Sequence, residues 1–253
     1  MHKLIQIGLI MLFMAIGTQA GAHSLWLNMD GPPQGAGQPV TVHIGWGHKF
    51  PKDTEIKDGM LNEIAAIDSK GNRFPLSRTS QSSFEFVPEH EGVYLIAANV
   101  HPGFVSKTTE GYKLGPKSQF EQVVSCFHYD IRTRTFLRAG KDGALPDSKT
   151  GDPLEIIPVR DPLDVKTGTD FAVKVLFRDK PLSGAKVCAT YAGFSDKPST
   201  FAATVLTDSS GCASIPITHP GPWLVSVTHE IPYPNRAECD TNKYNATMTF
   251  DVQ

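Results

Sequence analysis

Short segments rich in hydrophobic, β-forming residues recur along most of the chain, separated by polar, turn-forming residues. Candidate strands of the first half cover 24–28, 39–46, 62–68, 74–76, 83–87, 92–100 and 122–136. Those of the second half cover 170–178, 185–191, 201–207, 212–217, 223–229 and 244–252. Helical periodicity is nearly absent, so the pattern predicts an all-β protein.

A stretch rich in proline and aspartate, residues 151–162, separates the two sets of strands. It predicts a boundary between two β-sandwich modules, residues 23–158 and 159–253, with 154–158 as an extended connector. Seven strands at this spacing favour a sandwich for the first module. The second resembles small immunoglobulin-like or transthyretin-like modules, which bind or space more often than they catalyse. We therefore expect two sandwich modules and no enzymatic activity.

The first 22 residues follow a different pattern. Lys3 precedes an apolar run over 4–16, and small residues follow up to Ala22. This order predicts a cleavable secretory signal, residues 1–22, with cleavage after Ala22 or after Ala20. The apolar run is too short to span ~30 Å of hydrocarbon, and no later run predicts a membrane helix. We expect a soluble mature chain in the periplasm or otherwise outside the cytoplasm.

Composition and cysteine content narrow the function. The formal net charge is −2 and no basic stripe occurs, which argues against a nucleic-acid partner. All four cysteines follow residue 22, and an even number in an exported chain predicts two disulfides. Cys188 and Cys212 lie in neighbouring strand segments, so we favour that pair, which leaves Cys126 and Cys239 to join the two halves. Four buried thiols are the alternative.

The histidines carry the candidate chemistry, because the sequence lacks H-E-x-x-H, G-x-S-x-G, C-x-x-C and glycine-rich phosphate loops. If cleavage follows Ala22, His23 offers an α-amine and an imidazole that chelate a metal together. If cleavage follows Ala20, His23 is the third residue, and its imidazole completes a square-planar nitrogen site suited to Ni(II) or Cu(II). The chemistry of His23 therefore depends on the cleavage point.

Antiparallel topology predicts further ligands beside His23. His48 follows the second strand and His101 follows the strand at 92–100. Both are therefore expected at the same end of the first sandwich as His23, and we call this end the pole. These three histidines are the predicted metal site. His229, next to Glu230, is a secondary candidate at the junction of the modules.

Two long loops, 49–61 and 102–121, are expected to cover that pole, where binding sites on rigid β scaffolds usually lie. Phe104 and Tyr112 are placed to wall a pocket. The lysines of the second loop are expected to attract an anionic chelate or a partner: Lys107, Lys113 and Lys117. After residue 22, methionine occurs only at 29, 60 and 248, so a Cu(I) carrier is disfavoured, whereas nitrogen ligands fit Ni(II), Co(II), Cu(II) or Zn(II).

Several segments in combination resemble one family. They are 22–27 (AHSLWL), 45–51 (GWGHKFP), 102–104 with 107–113, 124–127 (VSCF), 189–194 (ATYAGF) and 218–221 with 229–230. In this order they are similar to a family of bacterial periplasmic proteins, labelled a domain of unknown function and described as a nickel or cobalt uptake component. The resemblance covers essentially the whole mature chain. It implies handling of Ni(II) or Co(II) beside a membrane-embedded metal permease, with His23 and His48 matching the family's motifs best.

Two other functions stay open. A terminal histidine and a second histidine on a β-sandwich also resemble the copper site of polysaccharide monooxygenases, which would make the chain an oxidative enzyme. A structural or adhesion module without metal is the other alternative.

Overall fold

The computed structural model describes residues 23–31, 35–141 and 143–253. The predicted signal peptide and both cleavage points lie outside these residues, so they stay predictions. The structure is about 53% strand and 3% helix, which confirms the predicted all-β class. Within the described residues, no helix has the length and apolarity to cross a bilayer.

Every candidate strand is present, together with five strands that were not predicted from the sequence. The first half contains β1 (Ser24–Met29), β2 (Val40–Gly47), β3 (Leu61–Ile67), β4 (Arg73–Pro75), β5 (Ser77–Arg78), β6 (Ser83–Phe86), β7 (Gly92–Val100), β8 (Gly103–Thr108), β9 (Gly111–Leu114) and β10 (Val123–Ala139). The second half contains β11 (Leu154–Pro158), β12 (Asp170–Phe177), β13 (Lys180–Pro181), β14 (Lys186–Tyr191), β15 (Ala203–Leu206), β16 (Cys212–Pro216), β17 (Gly221–Pro232) and β18 (Thr241–Val252).

The described strands form three layers. A ten-stranded central sheet has the order β15-β14-β17-β18-β10-β7-β3-β4, with the β8–β9 hairpin attached to β10. One four-stranded sheet has the order β1-β2-β6-β5, and another contains β11, β12, β13 and β16. Neighbouring residues of β7 point to different cores, Leu95 to one and both Tyr94 and Ile96 to the other. Because successive side chains of a strand leave opposite faces, the two small sheets cover opposite faces of the central one.

The central sheet continues across the predicted boundary at 158/159. β18 pairs in parallel with β10 over Thr241–Thr249 and Phe127–Thr135. β11, predicted as a connector, is a strand that pairs with β12. Strands from both sides of the predicted boundary are therefore hydrogen-bonded neighbours in one sheet.

One of the two predicted disulfides is confirmed and the other prediction is wrong. Cys126 and Cys239 are bonded across a sequence separation of 113 residues. Cys188 and Cys212 are free thiols. Cys188 lies on β14 in the central sheet and Cys212 lies on β16 in a four-stranded sheet, so the two thiols belong to different layers. Burial raises the pKa of the Cys188 thiol.

Candidate metal centre

The pairing of the first two strands brings His23 and His48 together. Ser24 pairs with Gly47 in the antiparallel β1–β2 ladder, so the preceding residue, His23, lies opposite the following one, His48. Directly opposite residues of such a ladder have Cβ atoms about 4.5–5.5 Å apart. A separation of 25 residues along the chain thus becomes a side-chain contact.

The first glycine of the Gly45-Trp46-Gly47-His48 segment makes room for a tryptophan. A Cβ atom on Gly45 would lie 1.8 Å from Nε1 of Trp26. That Nε1 donates a hydrogen bond of 2.9 Å to the carbonyl of Pro51. The indole of Trp26 therefore crosses the backbone of β2 at Gly45 and holds the loop that follows His48.

The second glycine makes room for a carboxylate that fixes His48. Gly47 has φ +135°, and a Cβ atom there would lie 2.3 Å from Oδ2 of Asp53. The same oxygen accepts hydrogen bonds from the backbone N–H groups of His48 at 2.7 Å and Lys49 at 3.2 Å. Thr54 donates its N–H and its hydroxyl to the carbonyl of Trp46. The loop after β2 is therefore folded back onto the strand end, and the backbone of His48 has a defined position.

The strand that begins after His23 is held by the last strand of the chain. The hydroxyls of Thr247 and Thr249 on β18 donate hydrogen bonds to the carbonyls of Leu25 and Leu27, the second at 2.7 Å. Both threonines are buried. On the other side of the site, Ser199 donates its N–H to the carbonyl of His48 at 2.9 Å. The C-terminal half thus positions both histidines.

The two imidazoles are in contact. Their ring centroids lie 4.5 Å apart with an interplanar angle of 42°, and the indole of Trp46 stacks on His23 at 5.2 Å and 6°. Burial lowers the pKa of His23, the neighbouring His48 lowers it further, and Asp53 partly opposes both effects. The folded state therefore favours the neutral imidazole of His23, which is the form that binds a metal.

The spacing of the rings fits two ligands of one ion. An imidazole–metal bond of ~2.0–2.1 Å places an ion roughly 3.2 Å from a ring centroid. Two centroids 4.5 Å apart then subtend an angle of about 90° at the ion, if each ring turns a nitrogen toward it. This is the angle between neighbouring ligands in square-planar and octahedral complexes.

A cavity of about 580 Å³ opens beside the two histidines. Strands β8, β9 and β10 supply most of its apolar wall. The lining residues are His23, Trp46, His48, Thr54, Glu55, Lys57, Met60, Val105, Tyr112, Leu114, Phe127, Tyr129 and Ile131. Tyr112 was expected there from the sequence. The three residues of β10 alternate along the strand, which is the signal that could have identified them.

The other predicted ligands lie elsewhere. His101 is exposed and donates its backbone N–H to the carbonyl of Met60, but it is not among the residues that line the cavity. Among the described residues, no group of three His, Cys, Asp or Glu side chains has an arrangement that would hold a metal ion. The structure therefore brings together two of the three histidines.

His229 packs within the second half rather than beside the first two histidines. Its ring contacts Phe177 edge to face, with centroids 4.5 Å apart. Burial and Arg178 lower its pKa, partly offset by Glu230. The edge-to-face contact shows that the His229 ring packs against Phe177. Binding of a second ion by His229 stays a prediction.

The remaining residues expected at the pole are occupied by other contacts. Phe104 packs against His128 and Tyr233, with centroids 4.8 and 5.6 Å away. Lys113 forms an ion pair with Glu110. Lys117 forms another with Asp240, so these two lysines contribute little uncompensated positive charge.

A hydrogen-bonded array of Asp30, His43 and Ser83 lies on the four-stranded sheet that contains β1 and β2. Nε2 of His43 is 2.9 Å from Asp30 and its Nδ1 is 3.0 Å from Ser83. The side chain of Asp30 is 66% exposed, so water competes for its hydrogen bonds. His43 and Ser83 are directly opposite in the β2–β6 ladder, and we interpret the array as a cross-strand tie.

Comparison with known proteins gives one family match and low similarity to solved structures. The model of a domain of unknown function, DUF4198, matches residues 20–231. The D00–D0 domain of intimin is 13% identical over 90% of this chain and 99% of that one, with a TM-score of 0.23. The fibronectin(III)-like modules of Clostridium thermocellum CbhA are 10% identical over 90% and 94%, with a TM-score of 0.20. Similarity at these scores supports no conclusion about this chain, and no curated protein matches its sequence.

Proposed function

The chain belongs to the DUF4198 family, whose function is unknown, and from that premise we propose that it binds a divalent transition-metal ion through His23 and His48. The observation that carries the proposal is the contact between the two imidazoles, whose ring centroids lie 4.5 Å apart and which both line one cavity. Neutral imidazole is a preferred ligand of such ions. The contacts of Asp53, Trp46 and the β18 threonines support the pair, and groups that hydrogen-bond or pack against metal ligands orient those ligands in metal sites.

Nitrogen donors suit Ni(II) and Co(II), which we favour, and also Cu(II) and Zn(II). The resemblance noted in the sequence motivates the preference for nickel and cobalt. In the same scheme, the chain presents its ion to a membrane-embedded metal permease. That step is a proposal about a partner, and its support is the resemblance alone.

Export and processing would complete the donor set. The Cys126–Cys239 disulfide supports an oxidising compartment, since such bonds are rare in the cytosol. Cleavage after Ala22 would give His23 a free α-amine, a third nitrogen beside the two imidazoles. Cleavage after Ala20 would leave a Gly-Ala-His terminus instead. Mass spectrometry of protein purified from the periplasm distinguishes the two.

Calorimetric titration with Ni(II) tests the proposal. His23→Ala should weaken binding more than about 100-fold, because even indirect partners of a metal site are worth ~10–100-fold. One extra residue before a mature His23 should weaken it as well, because the amine is displaced. His90→Ala is the matched control, since His90 is exposed and its backbone N–H and carbonyl form its hydrogen bonds with the hydroxyl of Tyr94. Equal affinity in all four proteins would refute the proposal.

The same pair of histidines also suits a copper enzyme. With a free amine on His23, the two imidazoles and that amine match the donor types of the copper site of polysaccharide monooxygenases. Reductant-driven peroxide formation by the Cu(II)-loaded protein, lost in His23→Ala, would establish that function. We propose binding without catalysis, and copper-loaded protein should then form no more peroxide than free copper.

A further inference from the structure

The cavity beside His23 and His48 is much larger than an ion requires. Its volume of about 580 Å³ lies within the ~300–1,000 Å³ typical of small-molecule sites. A single water molecule occupies only about 30 Å³. The site therefore has room for an organic ligand of the size that such pockets usually hold.

The floor of the cavity is an apolar row across three strands. Leu114 on β9 pairs with Val105 on β8, and Val105 pairs with Phe127 on β10. Tyr129 follows Phe127 on the same face, two residues along the strand. These side chains form a continuous surface that leads to the histidines, since all of them line the same cavity.

The outer part of this row is uncovered. Leu114 is 75% exposed and Tyr112 is 55% exposed. A single exposed apolar residue needs no explanation. Here two of them continue an apolar cavity wall, and such contiguous patches usually mark ligand or interaction sites.

The carboxylate and the ammonium group that line the cavity, those of Glu55 and Lys57, have opposite charges. On the hairpin, Lys113 is paired with Glu110 at 2.7 Å, and the Lys107 ammonium lies over the ring of Tyr112, 5.9 Å from its centroid. Burial raises the pKa of Tyr129, so its hydroxyl stays protonated and can donate a hydrogen bond. The lining therefore favours an uncharged aromatic body with polar donor atoms over a polyanion.

We propose that the site takes its ion as a complex with an aromatic, mainly apolar chelator. The inference rests on the proposed function: His23 and His48 bind the ion, and the chelator's rings lie on the floor formed by Val105, Leu114 and Phe127. The chelator supplies the coordination positions that two imidazoles leave open. A ring placed there also covers the exposed Leu114 and so removes apolar surface from water.

A 1:1 complex of Ni(II) with 2,2′-bipyridine is the probe, compared with aqueous Ni(II) and with bipyridine alone. The wild-type chain should bind the complex at least about tenfold more tightly than the aqueous ion, because the ring buries apolar surface on the floor. Leu114→Asp should remove most of that preference, which is measured as the ratio of the same variant's affinities for the complex and for aqueous Ni(II). Leu206→Asp is the control, since Leu206 is 67% exposed on β15 and does not line the cavity.

Four results would overturn the inference while leaving the histidine site intact. The first is aqueous Ni(II) binding that depends on His23 with no preference for the complex. The second is a preference that Leu114→Asp does not change, and the third is bipyridine alone binding as tightly as the complex. A concentration-dependent dimer that Leu114→Asp abolishes would assign the apolar wall to a second copy and also overturn it. Failure of the proposed function is distinct, because neither form of nickel would then respond to His23→Ala.

Discussion

Replacing Gly47 with alanine tests how the loop after β2 holds His48. The new Cβ atom would lie 2.3 Å from Oδ2 of Asp53 and 2.7 Å from its Cγ, about 1 Å closer than van der Waals contact allows. The carboxylate must move, and it then releases the N–H groups of His48 and Lys49. Losing bonds to a charged acceptor costs roughly 1.5–3 kcal/mol, reduced here by partial exposure. An alanine at φ +135° adds about 1–3 kcal/mol of backbone strain.

The expected loss is about 2–4 kcal/mol in the free energy of unfolding, measured by urea denaturation, with nickel affinity lowered at least about tenfold. Gly59→Ala is the matched control, because Gly59 has φ +77° and a Cβ atom there meets nothing within 4 Å. It should show only the strain, about 1–2 kcal/mol, and unchanged nickel affinity. If the two variants lose equal stability and both keep their affinity, the proposed role of Asp53 in placing His48 is wrong.

Three further predictions concern the hydrogen bond from Thr249 to β1, the disulfide and the effect of pH. Thr249→Val should cost about 1 kcal/mol in unfolding free energy by removing the bond to the carbonyl of Leu27, and Thr249→Ser should restore most of it. Replacing Cys126 and Cys239 together with serine should cost about 2–5 kcal/mol, because their bond closes a loop of 113 residues in the unfolded chain; thiol titration of unfolded, unreduced wild type should find two free thiols. The pKa of His23 is lowered in the folded state, so folding favours its neutral imidazole. The stability that this contributes is present at neutral pH, and it is lost as the pH falls below the ordinary imidazole pKa toward the lowered pKa of the folded state. Protons also compete with the metal, so nickel affinity should fall from about pH 7.5 to about pH 5.5, and calorimetry showing constant affinity would contradict the assignment.

Local patterns predicted the strands but not all of their partners. β7 is a nearly continuous hydrophobic run rather than an alternating one, because its neighbouring residues enter two different cores and both of its faces are buried. The parallel pairing of β10 with β18 joins residues more than a hundred positions apart and leaves no mark in either strand alone. The predicted Cys188–Cys212 bond failed for the same reason, since the layer to which each strand belongs is decided by distant contacts.

The site was predictable where it depended on one ladder. Antiparallel pairing of two consecutive strands was enough to place His23 beside His48. His101 follows β7 of the central sheet, whereas His23 and His48 belong to the four-stranded sheet of β1 and β2. The distance between them therefore depends on how the two layers pack. The segment 102–121 was expected to be a loop, but it contains the hairpin of β8 and β9, two short strands that are separated by only two residues. Their pairing with β10 creates the apolar floor, which no single segment indicates.

Coordination by both histidines is the central claim, and nuclear magnetic resonance of the ¹⁵N-histidine-labelled mature chain tests it most directly. One equivalent of Zn(II), a diamagnetic ion that perturbs mainly the imidazoles that bind it, should shift the signals of His23 and His48 together and leave those of His90 and His101 near their original positions. His23→Ala and His48→Ala assign the two signals, and each variant should lose the response of the remaining partner at that ratio. Saturation of His101 or His90 instead, or no response of His48 at one equivalent, would contradict the account.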